Sequence, residues 1–329
     1  GARPGEVTMH PNITIVQAIV LSCLEGRARQ PQRTKVVSEA LNFPSVLYIT
    51  RRWAKNNNAE LVLVESDDGI TVDPQKMLDA IDERTLLVSI SHVLFKSAYL
   101  QDAHAIIEQA HRVGAFVVLD AYQSVGIVPV DVRELDVDFL VGGVLKWLCG
   151  GPGGAFLYAH PERTASLQPN VTGWLAHRRP FDFEADAMDF RTDAWKFLNG
   201  TPAIPALYAA TEGPTVIRQV GVEKIRAKSV HQTSLLIKLA QHRGFVVRSP
   251  LDSSRRGGAV TLNVPHGYEV SRALIASDIL VDYRSGAGIR VAPHFYNSDE
   301  EVENVVLAIA DILQTKSYER YRTRASEVT

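Results

Sequence analysis

Asp120 and Lys146 are the two residues whose types and spacing suggest chemistry. An apolar run at residues 116–119 leads directly into Asp120. Such a run is typical of a buried parallel strand, and open α/β sheets bind their ligands at the C-terminal ends of these strands. A second apolar run, at residues 137–141, precedes Lys146, which lies among apolar residues. Burial would lower the pKa of the lysine amine and prepare it as a nucleophile and base.

A carboxylate and a desolvated lysine just past neighbouring strands match the needs of pyridoxal phosphate. This cofactor is held through a lysine amine, and an acid must keep its ring nitrogen protonated so that the ring withdraws electrons. The alternative is that Asp120 caps a turn and that Lys146 extends its amine to solvent, which is common for both residue types. The two residues by themselves leave both interpretations open.

Seven short motifs, in chain order, resemble the class V aminotransferases of fold-type I, and within that family the kynureninase-like proteins. The resemblance covers residues 1–311. Any one motif is unspecific, whereas seven in order indicate the superfamily more strongly than they indicate a reaction. The motifs are Asn42-Phe43-Pro44-Ser45, Ser91-His92-Val93, Asp120-Ala121-Tyr122-Gln123, Lys146-Trp147-Leu148, Gly173-Trp174-Leu175-Ala176-His177, Gly200-Thr201-Pro202 and Arg290-Val291-Ala292-Pro293.

The resemblance implies a pyridoxal-phosphate-dependent enzyme that acts on an amino acid as a homodimer. The leading reaction is hydrolytic cleavage of the β,γ carbon–carbon bond of a kynurenine-type substrate. The alternatives are another class V reaction, such as transamination, racemisation or C–S lysis, or a catalytically inactive protein with the same fold. Family members usually carry several dozen more residues ahead of residue 1, so the resemblance also implies that an N-terminal part is missing here.

The resemblance assigns one group of residues to the cofactor. Lys146 holds it and then serves as acid and base, Asp120 protonates the ring nitrogen, and Phe43 stacks on the ring. Other residues are expected to contact the cofactor at its phosphate, at its ring hydroxyl or from the pocket wall. They are Ile13, Thr14, Ser91, Gln123, Trp174 and Thr201. The resemblance implies that Thr201 reaches the cofactor of the neighbouring subunit. Simple helix capping by Thr14 and core packing by Phe43 are the structural alternatives.

A second group is assigned to the substrate. A guanidinium forms two parallel hydrogen bonds with a carboxylate, and the resemblance gives this task to Arg290, which lies between two aliphatic residues. A structural salt bridge is the alternative for Arg290, and Arg284 is a weaker second candidate. Trp174 and His92 are expected to line the substrate pocket, although a loop tryptophan often covers core and His92 has an equal chance of a structural role.

The chain departs from the kynureninase pattern near the cofactor. Gln123 stands where kynureninases carry a histidine, and glutamine cannot titrate. Val144 and Leu145 stand where relatives carry side-chain donors ahead of the lysine, so we expect the cofactor phosphate to be held less tightly. The desulfurase branch uses a persulfide cysteine far downstream, and no cysteine follows Cys149.

Composition limits the possible partners. The 329 residues contain 35 Lys and Arg against 37 Asp and Glu, a balance that argues against nucleic acid or an anionic membrane as the main partner. The apolar run at residues 13–24 is too short to span a bilayer. No signal peptide is visible, and the two cysteines have no metal or redox spacing, so we expect a cytoplasmic protein without a metal site. His104 and His111 lie seven apart, which favours a packed or solvated helix face over a metal pair.

The elements that must position these residues alternate between apolar strands and amphipathic helices. This alternation predicts an α/β fold with a mostly parallel sheet. We expect a cofactor-binding large domain at residues 1–204 and a smaller C-terminal α/β domain with a crossover helix at residues 205–329. A helix at residues 14–24 would begin after Asn12 and end at Gly26, and Ser298 with Glu301 predicts a capping box.

Overall fold

The computed structural model describes residues 1–28 and 33–322. Within these residues, eleven strands form two sheets. The larger sheet contains β1 (Val7–His10), β2 (Lys35–Glu39), β3 (Glu60–Val64), β4 (Thr85–Ser91), β5 (Phe116–Asp120), β6 (Phe139–Gly143) and β7 (Ala155–Ala159). The smaller sheet contains β8 (Val246–Val247), β9 (Val260–Asn263), β10 (Asp282–Arg284) and β11 (Gly288–Val291).

The larger sheet has the strand order β1-β7-β6-β5-β4-β2-β3. The five strands from β2 to β6 run parallel to one another, and β7 is antiparallel to both β6 and β1. β4 is buried along its whole length, because helices cover both faces of a parallel sheet. This architecture confirms the predicted α/β class with a mostly parallel sheet.

The described helices connect and cover the strands. α1 and α3 pack against each other on one face of the larger sheet, and α5 covers the other face beside β5. α9 and α11 pack on the smaller sheet. The helices are α1 (Ile13–Ser22), α2 (Glu25–Ala28), α3 (Pro44–Asn56), α4 (Pro74–Asp79), α5 (Ala103–Arg112), α6 (Val132–Leu135), α7 (Ile204–Ala209), α8 (Glu212–Val220), α9 (Val222–His242), α10 (Gly267–Ala276) and α11 (Asp299–Thr315).

The helix ends test several capping predictions. The Asn12 side chain accepts a hydrogen bond from the Ile15 amide, so Asn12 caps α1 as predicted. Gly26 does not end that helix, because α1 stops at Ser22 and Gly26 belongs to α2. The reciprocal hydrogen bonds of a capping box are present between Ser298 and Glu301, which confirms that prediction.

The larger sheet has one hydrophobic cluster on each face, the smaller sheet has another, and a fourth cluster joins the two parts. Trp147, Ile225 and Ala259 belong to this joining cluster, which contains residues from both halves of the chain. The division of the chain at residues 204 and 205 stays a prediction. In the described part of the chain, no helix is long and apolar enough to cross a membrane.

Candidate active site

The carboxyl ends of the parallel strands border a cavity of about 390 Å³. Pairing aligns Ser91 at the end of β4 with Asp120 at the end of β5, and Asp120 with Val141 of β6, so these strand ends lie at one edge. Seven residues that the sequence assigned to the cofactor line this cavity, and they are Ile13, Thr14, Phe43, Ser91, Asp120, Gln123 and Lys146. Residues far apart in the chain therefore meet at one place.

Asp120 presents a carboxyl group to the cavity from a buried strand end. Its Oδ1 accepts a hydrogen bond from the Tyr122 amide at 2.8 Å, and no described residue donates to its Oδ2. Burial raises the pKa of Asp120 to about 6, although the Tyr122 amide and Lys146 act in the opposite direction. The carboxyl group is therefore poised to exchange a proton near neutral pH, with one oxygen free for a ligand.

Lys146 follows β6 and points its amine into the same cavity. The Nζ atom lies 4.7 Å from the ring centroid of Tyr122. Burial, together with the nearby charge of Arg290, lowers the pKa of Lys146 to about 8, and Asp120 partly offsets this effect. About half of the amines are therefore neutral at pH 8, and a neutral amine is the nucleophilic form.

Gln123 connects Lys146 to the smaller sheet. In the amide orientation that its donors require, the side-chain oxygen of Gln123 accepts from Lys146 Nζ at 2.7 Å and from Arg290 Nη1 at 3.3 Å. Arg290 itself lies on β11, is 9 % exposed, and donates to the carbonyl of Phe95 at 2.6 Å. The structure thus brings Arg290 within one side chain of Lys146, although Arg290 does not line the cavity.

Arg290 also has a resident carboxylate partner. Its Nη2 lies 2.5 Å from Oδ2 of Asp282, and Nη2 of Arg284 lies 2.9 Å from the same oxygen. The sequence had left a structural salt bridge open as the alternative for Arg290, and this ion pair is present. It does not test whether a substrate carboxylate binds there as well.

The start of α1 supplies free backbone donors to the cavity. The Ile15 amide bonds to the Asn12 side chain and the Val16 amide to the Asn12 carbonyl. Among the described residues, no group accepts from the amides of Ile13 and Thr14, which are therefore the free donors of this helix end, and helix N-termini bind anions through such amides.

The two residues ahead of Lys146 differ in orientation. Leu145 lines the cavity and is 47 % exposed. Val144 is buried, and its side chain packs so closely on two glycines that a Cβ on Gly150 or Gly154 would lie 2.7 Å from it. The expectation that both positions are missing phosphate contacts is therefore wrong for Val144, because its side chain turns into the protein.

Aromatic rings form part of the cavity wall. Phe43 is 40 % exposed and meets Phe95 edge to face, with the ring centroids 5.2 Å apart. Tyr122 lies over Gly143, where a Cβ would come within 2.2 Å of the tyrosine ring. Sequence reasoning gave no role to Phe95 or Tyr122. Tyr122 lies inside the Asp120 motif, which was the available signal, whereas Phe95 gave none.

Besides Arg290, three predicted site residues lie outside the cavity. His92 is 8 % exposed, and its Nδ1 lies 3.0 Å from the hydroxyl of Ser124. Trp174 lies in a surface turn, where its ring stacks on Phe183 at 6.1 Å. Thr201 borders a second groove of about 350 Å³ that shares Pro11 and Gly153 with the first cavity. Their roles stay predictions, and His92 in particular lies behind the wall rather than on it.

The chemistry of this donor set fits pyridoxal phosphate. Asp120 offers a free, buried carboxylate oxygen for a protonated ring nitrogen, Lys146 offers an amine of lowered pKa, and the Ile13 and Thr14 amides offer donors for a phosphate. Phe43 offers an exposed aromatic face. Among the described residues, no group of three or more His, Cys, Asp or Glu side chains could hold a metal ion, and His111 bonds to Asp138 at 2.9 Å.

Comparison with known proteins gives the same family. The family model for aminotransferase class-V matches residues 14–305. A kynureninase from Pseudomonas fluorescens is 32% identical over 328 residues, which cover 97% of this chain and 77% of that protein. A kynureninase from Bacillus anthracis is 29% identical over 340 residues, which cover 100% of this chain and 78% of that protein.

Solved structures show the same fold. The apo structure of a cysteine desulfurase from Thermococcus onnurineus NA1 matches with a TM-score of 0.87 and 23% identity, covering 96% of this chain and 81% of that one. The cystine C-S lyase C-DES, in complex with its product cysteine persulfide, matches with a TM-score of 0.83 and 18% identity, and the match covers 94% of this chain and 82% of that one. Together with the family model over residues 14–305, these findings show that the chain belongs to the class V aminotransferase family and is a pyridoxal-phosphate-dependent enzyme of fold-type I.

Proposed function

We propose that this enzyme hydrolyses the β,γ carbon–carbon bond of a kynurenine-type amino acid. The observation that carries an amino acid substrate is the line Lys146–Gln123–Arg290, in which one amide bonds both an amine and a guanidinium. The kynureninases that match nearly the whole chain support the reaction type. The aromatic side chains of Phe43, Phe95 and Tyr122 around the cavity suit an aromatic substrate.

When bound, pyridoxal phosphate supplies an electron sink for the bonds around the substrate α-carbon. In this proposal Lys146 holds the cofactor before substrate arrives, and its released amine then moves a proton at the α-carbon. A pKa of about 8 suits both tasks, because the amine gains and loses a proton readily near neutral pH. Gln123 accepts from the Lys146 amine and so keeps it directed into the cavity.

Asp120 would hold the proton of the ring nitrogen through its free Oδ2. Above pH 6 the carboxyl group is ionised, and an ionised carboxylate forms the stronger, charge-assisted hydrogen bond with a protonated ring nitrogen. The Tyr122 amide fixes the other oxygen at 2.8 Å, so the carboxylate keeps one orientation.

Arg290 would hold the substrate α-carboxylate. Its Nε atom is buried and has no partner among the described residues, so an unused donor remains on the guanidinium that already bonds Gln123. The α-amine and the α-carboxylate of an amino acid would then lie between Lys146 and Arg290.

A second candidate is another class V reaction, such as transamination, racemisation or C–S lysis. The residues that favour it are Gln123, which cannot titrate where kynureninases carry a histidine, and Leu145, which offers no side-chain donor to the cavity. The sequence contains no cysteine after Cys149, which argues against persulfide chemistry from a downstream cysteine.

Product analysis by mass spectrometry tests the proposal. The purified, cofactor-loaded enzyme is incubated with kynurenine, hydroxykynurenine and common amino acids. Hydrolytic cleavage predicts alanine together with the corresponding anthranilate. An α-keto acid or an inverted amino acid in place of these products would establish the second candidate. If visible absorption shows that the cofactor binds but no substrate is turned over, the protein is catalytically inactive.

We also propose a homodimer with the active site near the subunit contact. The groove bordered by Thr201 lies next to the cofactor cavity and is lined in part by the apolar residues Ile15 and Leu207. Ile15 and Ile204, which follows the groove residue Ala203, are exposed apolar residues. Sedimentation at micromolar concentration tests this proposal, since a monomer that binds the cofactor fully would refute it.

A further inference from the structure

Asp282 forms an ion pair with Arg290, the cation that the proposed function assigns to the substrate carboxylate. It pairs with two arginines at once, because Arg290 and Arg284 both donate to its Oδ2, at 2.5 and 2.9 Å. We name Arg284 and Arg290 the arginine pair. We propose that Asp282 sets the substrate class of the site by neutralising one charge of the arginine pair, so that the site selects amino acids with one carboxylate over those with two.

The sheet geometry fixes this arrangement. β10 and β11 pair antiparallel with Asp282 directly opposite Arg290, and Arg284 lies two residues further along β10. Side chains opposite each other, and side chains two apart on one strand, point to the same face of a sheet. The three charged groups therefore share one face by backbone pairing, independently of side-chain flexibility.

Contacts join this face to the cavity. Arg290 reaches the carbonyl of Phe95 and the side chain of Gln123, both of which line the cavity. The guanidinium of Arg284 lies 5.8 Å from the centre of the Phe95 ring. Arg290 and Arg284 also lower the pKa of Lys146, and Asp282 raises it, so these charges act on the reacting amine.

The arginine pair keeps unused donors beside its carboxylate. Among the described residues, the Nε atoms of both arginines and Oδ1 of Asp282 are buried without a partner. Buried polar groups are normally satisfied, so these unpaired atoms indicate that a further polar group completes the cluster.

The net charge of Arg284, Arg290 and Asp282 explains the selectivity between substrates with one and with two carboxylates. Two guanidinium groups and one carboxylate leave a net charge of +1, which one substrate carboxylate neutralises. A second carboxylate on the substrate would meet no uncompensated cation in this cluster. Replacing Asp282 by asparagine leaves a net charge of +2 and should favour a dicarboxylate. Because the Asp282 side chain is 41 % exposed, solvent screening keeps the effect moderate.

The inference on Asp282 rests on the proposed role of Arg290 as the carboxylate-binding residue. One series of calorimetric titrations tests the two roles separately. Dissociation constants of butyrate and glutarate are measured for the cofactor-loaded parent and for Asp282→Asn, Asp282→Glu, Asp278→Asn and Arg290→Gln. For Asp282→Asn we expect the preference for glutarate over butyrate to rise about tenfold. Asp282→Glu keeps the charge and should keep the parent preference. Asp278→Asn, an exposed site at positive φ that suits asparagine, serves as the control.

Each outcome bears on one claim. An unchanged butyrate affinity in Arg290→Gln would refute the carboxylate role of Arg290 and with it the proposed function. If Arg290→Gln weakens butyrate but Asp282→Asn changes both ligands equally, the inference on Asp282 alone is overturned. If Asp282→Asn does not fold, Arg284→Gln tests the same charge balance, because it lowers the net charge of the cluster from +1 to 0 instead of raising it to +2. It should lower the preference for glutarate, and an unchanged preference would overturn the inference.

Discussion

The Asp120 carboxyl group should destabilise the folded protein when the cofactor is absent. Burial raises its pKa from 3.8 to about 6, so folding disfavours the ionised form. The corresponding penalty is about 3 kcal/mol at pH 8, about half of that at pH 5, and nothing below the unfolded pKa of 3.8. Asp120→Asn removes the charge and keeps an oxygen for the Tyr122 amide. We therefore expect this variant, without cofactor, to unfold at higher urea concentration than the parent at pH 8.

The pH dependence decides between this explanation and a capping role for Asp120. The stability gain of Asp120→Asn should shrink as the pH falls from 8 to 5, because the parent carboxyl group then becomes protonated. Asp131→Asn is the control, since the Arg133 amide lowers the pKa of that surface carboxyl group and no gain is expected at pH 8. Equal or lower stability of Asp120→Asn at pH 8 would refute the reasoning. With cofactor bound, the same variant should lose affinity, as a charge-assisted hydrogen bond contributes about 1.5–3 kcal/mol.

Three further predictions concern the same cavity. Lys146→Ala should abolish the borohydride-reducible adduct with the cofactor, and peptide mapping that finds the label on another lysine in the parent would refute the assignment. Leu145→His should bind the cofactor at least about tenfold more tightly, if a new donor to the phosphate contributes about 1.5–3 kcal/mol, as measured by titration; unchanged affinity would mean that Leu145 does not face the phosphate. Gly143→Ala should cost about 1–3 kcal/mol in urea unfolding, because its Cβ would lie 2.2 Å from the Tyr122 ring, whereas Gly26→Ala, with open space around it, should cost nothing.

The strand ends explain why much of the cavity was predictable. Apolar runs that end in Ser91 and Asp120 identify buried parallel strands, and the carboxyl ends of such strands meet at one edge. The resemblance then supplied Ile13, Thr14, Phe43 and other lining residues, which the fold collects around that edge. The mostly parallel sheet and the cap at Asn12 followed from local sequence patterns, whereas the family followed from the resemblance of the seven motifs.

Other features depend on contacts between distant parts of the chain. Val144 and Leu145 are adjacent and both apolar, yet only Leu145 faces the cavity, because Val144 packs on Gly150 and Gly154. Ser91 is the last residue of β4 and lines the cavity. His92 directly follows it, but its ring turns to Ser124 instead. The turn direction of a backbone after a strand is set by what it packs against, and sequence spacing does not report this.

The amino-acid sequence by itself identified Asp120 and Lys146 as two candidate chemical groups just past neighbouring strands, and the resemblance of its seven motifs to a known family, rather than their spacing, indicated pyridoxal phosphate. Only the tertiary structure decided which charges surround that chemistry. The pairing of β10 with β11 brings Asp282 against Arg290, and the joining of the two sheets brings Arg290 to Gln123. Electrostatic energies depend on distances of a few ångströms, and such distances between residues far apart in the chain are fixed by packing alone.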